Sequence, residues 1–348
     1  MDLSRRIAAF IELGRFFREY SENKTVTGYE VHVEKFNVLI ENYRHTNAWF
    51  TSDNIEFAIQ QWGVLLSADS LHQWLRKYSI LEKEPKTVAV IMAGNVPLVG
   101  MHDFISVLVT GNNILIKPSS KDKELPVFIA DLVCVIESEF TSRIRFTDTI
   151  IAGYDAVIAT GSSDSSRYFD YYFSKYPHII RRSRSSVAIL TGEESDAELE
   201  ALGLDIFTYF GLGCRSVSKI YAPEGYVFDH FIDVLKPWEK LYMHNKWANN
   251  YDYHQSVFYL NRISFIDSGF FMMKEDNQIS SPLSVIFYEH FSDICILAAE
   301  LKKMDSQLQC IVSKSNSVKG TILPGLAQKP SLNEYADNID TIDFLCNL

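Results

Sequence analysis

From Thr87 onward the chain alternates short apolar runs of β-type with amphipathic helical stretches, and that alternation restricts it to a small set of α/β folds. Runs 88–92, 114–116, 156–159 and 187–190 are short and apolar throughout, as strands covered on both faces are. Stretches 123–140 and 164–173 between them carry helical patterning, which implies right-handed crossovers and a mainly parallel sheet. A second block of the same kind follows, with a helix near 197–210, a strand near 216–221 and further runs at 285–288 and 309–312. Ahead of all this the chain reads as helical. Ile7, Phe10, Ile11, Gly14 and Phe17 recur at helical spacing, and Asp53 with Glu56 has the form of a capping box opening a helix that runs to about Leu66.

A length of 348 residues with 47% hydrophobic content is ample for two domains, and the Ser-Arg-rich stretch before Val187 places their boundary near residue 186. The formal net charge of -11 argues against a broad electrostatic attraction to nucleic acid, so no nucleic-acid partner is expected. Arg181, Arg182 and Arg184 form the densest basic patch, read either as a solvated strand end or as a dock for phosphates. The aromatic cluster Tyr168, Phe169, Tyr171, Tyr172 and Phe173 is expected to pack its helix rather than stack on bases. Five cysteines without CxxC spacing, and an amino terminus without a continuous apolar signal segment, fit a reducing cytoplasm. No apolar run approaches the twenty or so residues of a membrane span, and no histidine pair stands at metal-ligand spacing, so neither span nor metal is expected.

Cys214 is the residue with the most chemical content. It stands in the run 208–219, where Gly211 and Gly213 precede the thiol and an alternating segment follows it. Glycines remove bulk and permit unusual backbone angles, so a substrate can approach both the sulfur and the adjacent main-chain amides, an arrangement suited to acyl transfer. The competing reading is a small buried core residue, the usual situation of an unpaired cysteine.

No GxGxxG turn follows the first strand, so the standard dinucleotide fingerprint is absent. Other landmarks occur in order: Ala93-Gly-Asn-Val-Pro97, Ile116-Lys-Pro-Ser119, Ala159-Thr-Gly-Ser162 and Gly211-Leu-Gly-Cys214. In this succession the chain resembles the aldehyde dehydrogenase superfamily. Its Gly-Asn-Val-Pro-Leu-Val-Gly run, its Gly-Leu-Gly-Cys-Arg segment and the closing segment 324–337 look like the acyl-CoA reductase family of the bacterial bioluminescence type.

The resemblance implies an aldehyde dehydrogenase-like α/β fold of two domains with mainly parallel sheets. Residues 1–186 would form a nicotinamide dinucleotide-binding domain with a helical N-terminal segment, and residues 187–348 a catalytic domain carrying the nucleophilic Cys214. Asn95 falls where the superfamily has the amide of its oxyanion hole, and Lys117 where it has the lysine that reaches the adenosine ribose; Ser119 joins the latter as a cofactor contact. Gly161 and Ser162 match the start of the Gly-Ser turn that approaches the pyrophosphate, although Ser166 replaces a second glycine. Gln278 stands in for a glutamate that contacts the nicotinamide ribose, and Tyr209 stands near a position where relatives have asparagine.

Ser120 and Lys121 follow Lys117 where NAD-preferring relatives carry a glutamate, which implies NADPH as cofactor with NADH possible. Leu190 is assigned the place of the glutamate that activates water in hydrolytic relatives, which turns the expectation from hydrolysis to reduction. The implied activity is NAD(P)H-dependent reduction of an acyl thioester, fatty acyl-CoA or an acyl carrier, to an aldehyde, and the family suggests a homodimer. Two other readings stand beside it: an acyl-phosphate reductase of the same superfamily, and a nucleotide-binding scaffold without chemistry.

Overall fold

The computed structural model describes every residue except 150, 162, 316 and 317, and of residues 163 and 164 the backbone alone. It divides into two compact units, Met1–Arg182 with Ser331–Leu348, and Ser183–Pro330.

The first unit is built on β1 (Thr87–Ile91), β2 (Asn113–Lys117), β3 (Ile144–Phe146), β4 (Ala156–Thr160) and β5 (His178–Arg181), in the order β3-β2-β1-β4-β5. All pairings are parallel. The central strands are buried through their middles, as continuous apolar runs require when helices cover both faces. Strand order reverses between β1 and β4, the crevice at which open α/β sheets bind their ligands, outside the carboxyl ends of the strands.

Helices α1 (Leu3–Asn23), α2 (Glu30–Thr46), α3 (Ser52–Leu65) and α4 (Ala68–Leu75) precede the sheet. The apolar stripe of α1 buries Phe10, Leu13, Phe16 and Phe17. Helix α3 begins two residues earlier than the Asp53–Glu56 pair suggests. Thr51 is its N-cap, and the threonine hydroxyl accepts from the Asn54 amide at 3.3 Å. Asp53 instead lies in the first turn, where a carboxylate favours the positive end of the helix dipole.

Helices α5 (Met101–Val109), α6 (Glu124–Ile136) and α7 (Ser163–Phe173) alternate with the strands. The aromatic cluster on α7 is divided between two environments. Phe173 is buried, whereas Tyr168, Tyr171 and Tyr172 are 66–78% exposed, so the cluster packs its helix only in part.

The second unit holds a seven-stranded sheet of β6 (Ser185–Ile189), β7 (Val217–Pro223), β8 (Ile266–Asp267), β9 (Met272–Glu275), β10 (Val285–Phe291), β11 (Leu308–Val312) and β12 (Thr321–Ile322). Their order is β12-β11-β6-β7-β10-β9-β8, and only β8 against β9 is antiparallel. Helix α8 (Asp196–Phe207) opens with a capping box at Ser195 and Glu198, and its buried side carries Leu199, Leu202 and Ile206.

The units part between Arg182 and Ser183, just before β6, against the expected position near residue 186. Residues 331–348 return to the first unit instead of closing the second. They are held there by Trp74 Nε1 donating to the Tyr335 hydroxyl at 2.7 Å, Tyr78 donating to Asp340 at 2.7 Å, and Arg181 donating to the Thr341 hydroxyl at 2.9 Å. No helix among the described residues is long and apolar enough to cross a membrane.

Candidate active site

In the first unit, the expected cofactor residues leave one edge of the sheet. Asn95 lies on the loop after β1, Lys117 ends β2 with Ser119 two residues on, and Gly161 follows β4, all at carboxyl ends of strands beside the β1/β4 reversal. Ser162 lies outside the described residues. Asn95 is exposed. The Lys117 ammonium donates to the Thr149 carbonyl at 3.1 Å, which draws the loop after β3 toward the end of β2. Ser119 caps its own turn: its Oγ accepts from the Lys121 amide at 3.2 Å, and its carbonyl from the Asp122 amide at 3.1 Å. Gly161 continues the ladder by donating to the Arg181 carbonyl at 3.3 Å.

Asp122 was not singled out by sequence, yet it joins two of these loops. Its side chain is buried, accepts from the Tyr43 hydroxyl at 2.6 Å, and is hydrogen-bonded by the Leu98 amide of the Asn95 loop. Leu98 itself takes φ 56°, a left-handed conformation that costs a residue with a Cβ about 1–2 kcal/mol and persists only where its surroundings enforce it. Burial pushes the Asp122 carboxyl up to about 6, against hydrogen bonds that favour its ionised form. With Asp122 turned inward, Ser120 and Lys121 are exposed after Lys117, as are Lys123 and Glu124 at the start of α6.

In the second unit the site lies at the opposite kind of edge. Cys214 stands between α8 and the start of β7, at the amino edge of the sheet, and Gln278 lies in the segment that leads from the carboxyl end of β9 to β10. Cys214 is exposed, which removes the buried-core reading. The approach to it is conformationally unusual: Tyr209, Phe210 and Gly211 all have positive φ, of 56°, 56° and 69°. Two consecutive left-handed residues with side chains store strain of the kind found at functional sites. Tyr209, buried here, is one of them.

A turn then carries the thiol. Ser216 N–H donates to the Gly213 carbonyl at 3.0 Å, leaving Cys214 and Arg215 as its central residues. Arg215 Nε donates to the Ala327 carbonyl. The segment around Ala327 is fixed in turn by Asp205, fully buried on α8, whose carboxylate accepts from the Gly325 amide at 2.7 Å and the Ala327 amide at 2.9 Å. Burial pushes the Asp205 carboxyl up to about 6. A sequence signal existed for this residue: an aspartate three positions after Leu202 and beside Ile206 falls on the apolar face of its helix.

Gln278 is exposed, and its backbone N–H donates to Asp276 at 2.9 Å; burial would raise the Asp276 carboxyl, but the Lys274 ammonium beside it and this N–H keep it below the usual range.

Two sequence-based placements are revised. Leu190 is buried after the carboxyl end of β6, whereas the Cys214 turn adjoins the amino end of that strand, at Ser185 and Ser186. Leu190 therefore cannot mark the position of a water-activating base. The arginine cluster, expected as a solvated strand end or a phosphate dock, is divided between burial and surface. Arg181 is buried and paired with Asp103, Arg182 pairs with Asp170 at 2.8 Å, and Arg184 donates to the Leu308 carbonyl at 3.2 Å.

The profile of the acyl-CoA reductase (LuxC) family matches residues 18–274. The chain belongs to that family. Among curated relatives, it is 25% identical over 284 residues to a long-chain acyl-protein thioester reductase of Aliivibrio fischeri, an alignment covering 72% of this chain and 58% of that protein. A long-chain acyl-protein thioester reductase 2 of Photobacterium leiognathi is 24% identical over 188 residues, 49% of this chain and 39% of its own. The chain thus spans well under two thirds of the length of the curated relatives it matches.

Solved structures place the fold among aldehyde dehydrogenases. Aldehyde dehydrogenase 21 from Physcomitrella patens, in complex with the reaction product succinate, superposes with a TM-score of 0.64 at 12% identity, covering 100% of this chain and 84% of that one. The NAD+ complex of an aldehyde dehydrogenase from Bacillus cereus gives 0.61 at 14% identity over 91% of this chain and 73% of its own.

Proposed function

We propose that this member of the family reduces an acyl thioester to an aldehyde through an acyl-enzyme on Cys214. The observation that carries the reading is the exposed thiol on a turn approached through strained backbone, in a chain of the acyl-CoA reductase family. Cys214, as thiolate, attacks the thioester carbonyl; a new carbon–sulfur bond forms, and the carrier thiolate departs with the electron pair of the bond that breaks. Asn95 and the Cys214 amide donate to the oxyanion in this reading. An uncharged amide suits the task because it stabilises negative charge without changing protonation state.

The residues of the first unit fit a dinucleotide: Lys117, Ser119 and Gly161 sit at the carboxyl edge beside the strand reversal, where the ribose and pyrophosphate of such a cofactor are held in open α/β sheets. Gln278 would contact the nicotinamide ribose, an amide still being able to bond a hydroxyl. A reduced nicotinamide would supply the hydride that brings the acyl group to the aldehyde level, and Cys214 leaves as thiolate with the electron pair of its carbon–sulfur bond. NADPH is the preferred form, since Ser120 and Lys121, both exposed, offer a 2′-phosphate a hydroxyl and a cation.

The donor is a long-chain acyl group on coenzyme A or on a protein thiol, the latter supported by the names of the curated relatives. A homodimer in a reducing cytoplasm completes the reading; no disulfide joins the described cysteines. The test is intact-mass analysis after adding a long-chain acyl-CoA, or an acylated carrier protein, without reductant. A mass increase of one acyl group on the wild type and none on Cys214→Ser is expected; an unchanged wild-type mass with both donors overturns the proposal.

A further inference from the structure

Behind the Cys214 turn lies a polar cluster that none of these roles uses. β6 meets both of its neighbours with a register irregularity at the same point. Between Leu308 and Ile311, two residues of β11 stand opposite Ser186 alone, and between Ser186 and Val187 of β6, Ser218 is the extra residue of β7. Bulges are rare in parallel pairs, and they re-aim the side chains at the irregularity. Here they aim Cys310 and Ser218 toward Ser186. Ser186 is fully buried, its hydroxyl donates to the Cys214 carbonyl at 2.9 Å, and the same oxygen lies 3.0 Å from Cys310 Sγ. A hydroxyl has one hydrogen, and a carbonyl can only accept, so the hydrogen goes to Cys214; the Cys310 thiol donates to Ser186 at this shorter distance and also lies 4.0 Å from the Arg215 carbonyl of the same turn. Ser218 donates to the Ile279 carbonyl at 2.9 Å, which fastens the segment that carries Gln278 to the same point of the sheet.

The bond to the Cys214 carbonyl matters because of where that carbonyl sits. In the turn closed by Gly213 and Ser216, the Cys214–Arg215 peptide is the central one. Closing a turn by its outer hydrogen bond leaves the central peptide able to rotate, and the common turn types differ by its flip. A flip there turns over the Cys214 carbonyl and the Arg215 amide while the Cα–Cβ bond of Cys214 moves little, so the bond from Ser186 acts by anchoring the turn, and with it the Cα that bears the sulfur, to β6. We propose that Ser186, oriented by the Cys310 thiol, is a positioning residue that pins the Cys214 turn to β6 and so places the nucleophile. The inference rests on the assignment of Cys214 as acyl acceptor.

The test is single-turnover acylation of the full chain by a long-chain acyl-CoA, followed by intact mass over a range of thioester concentrations. Ser186→Ala is expected to slow acylation at saturation by roughly tenfold or more, as misaimed reactants do, while the half-saturating concentration stays near the wild-type value. Ser186→Thr and Cys310→Ser, which retain a hydroxyl donor at each position, are expected to remain near wild type, and Cys310→Val to fall between. Packing alone would lower the melting temperature without dividing the kinetic constants this way. Wild-type rates at saturation in Ser186→Ala overturn the proposal; if that variant does not fold, equal rates in Cys310→Val and Cys310→Ser overturn it instead. Failure of the wild type to acylate at all speaks against Cys214 as acceptor, a distinct outcome.

Discussion

Gly94 presses against Ser119 so closely that a Cβ on the glycine would lie 2.5 Å from the serine Oγ and 2.6 Å from its Cβ. The loop that carries Asn95 and the turn that follows Lys117 are therefore packed as one surface at the carboxyl edge of the first sheet. Gly94→Ala is expected to force them apart, with an overpacking cost of about 1–3 kcal/mol and a raised KM for the dinucleotide. Urea denaturation and steady-state kinetics together check this. Unchanged stability and unchanged KM would mean that the Ser119 turn shifts as a whole at little cost.

Asn95 is assigned to the oxyanion on resemblance and on its exposed position after β1. Asn95→Ala is expected to lower kcat by about 10² to 10³ with little change in KM for the thioester, because the donor acts when charge develops on oxygen. Rapid-quench measurement of acyl-enzyme formation gives the decisive number. A loss confined to KM would make Asn95 a binding residue and leave the oxyanion without this donor.

The strands were legible because buried parallel strands are written as short apolar runs, and 88–92, 114–116 and 156–159 fall on β1, β2 and β4. The domain boundary was not legible to the same degree. Residues 331–348 belong to the first unit through contacts of Tyr335, Asp340 and Thr341 with residues more than 150 positions away, and no local pattern announces such pairings. The same limit applies to the site. Cys214 was visible from its glycines, but Ser186 and Cys310 reach it only through strand bulges, which carry no sequence signature, and Leu190 was misplaced because a strand's motif does not reveal which of its ends meets the Cys214 turn.

Selectivity between the two dinucleotides offers a third prediction. Lys121 is exposed four residues after Lys117, while the neighbouring carboxylate of Asp122 is buried against Tyr43 and unable to repel a phosphate at the surface. Lys121→Ala is expected to raise KM for NADPH roughly tenfold while leaving KM for NADH nearly unchanged, the loss of one charge-assisted contact to phosphate. Equal effects on both cofactors would remove Lys121 from the 2′-phosphate.

Asp122 also makes stability depend on pH in an unusual direction. Burial raises its carboxyl to about 6 in the folded chain, whereas an unfolded aspartate titrates near about 4. Between those values the folded state holds a proton that the unfolded state has released, so the contribution of Asp122 is greatest near the lower value and is lost as pH rises through about 6. A shift of this size corresponds to roughly 2–3 kcal/mol. Asp205, also raised to about 6 by burial, adds a contribution of the same sign in the second unit. Asp122→Asn, which keeps an acceptor for the Tyr43 hydroxyl but cannot ionise, should therefore lose about half of this pH dependence, and Asp122→Asn with Asp205→Asn nearly all of it. Urea unfolding from pH 4 to 7 measures it: the difference between wild type and Asp122→Asn should shift steadily against the wild type until about pH 6 and then level off. Parallel curves would show that Asp122 is already ionised across that range, with its hydrogen bonds from Tyr43 and Leu98 outweighing its burial.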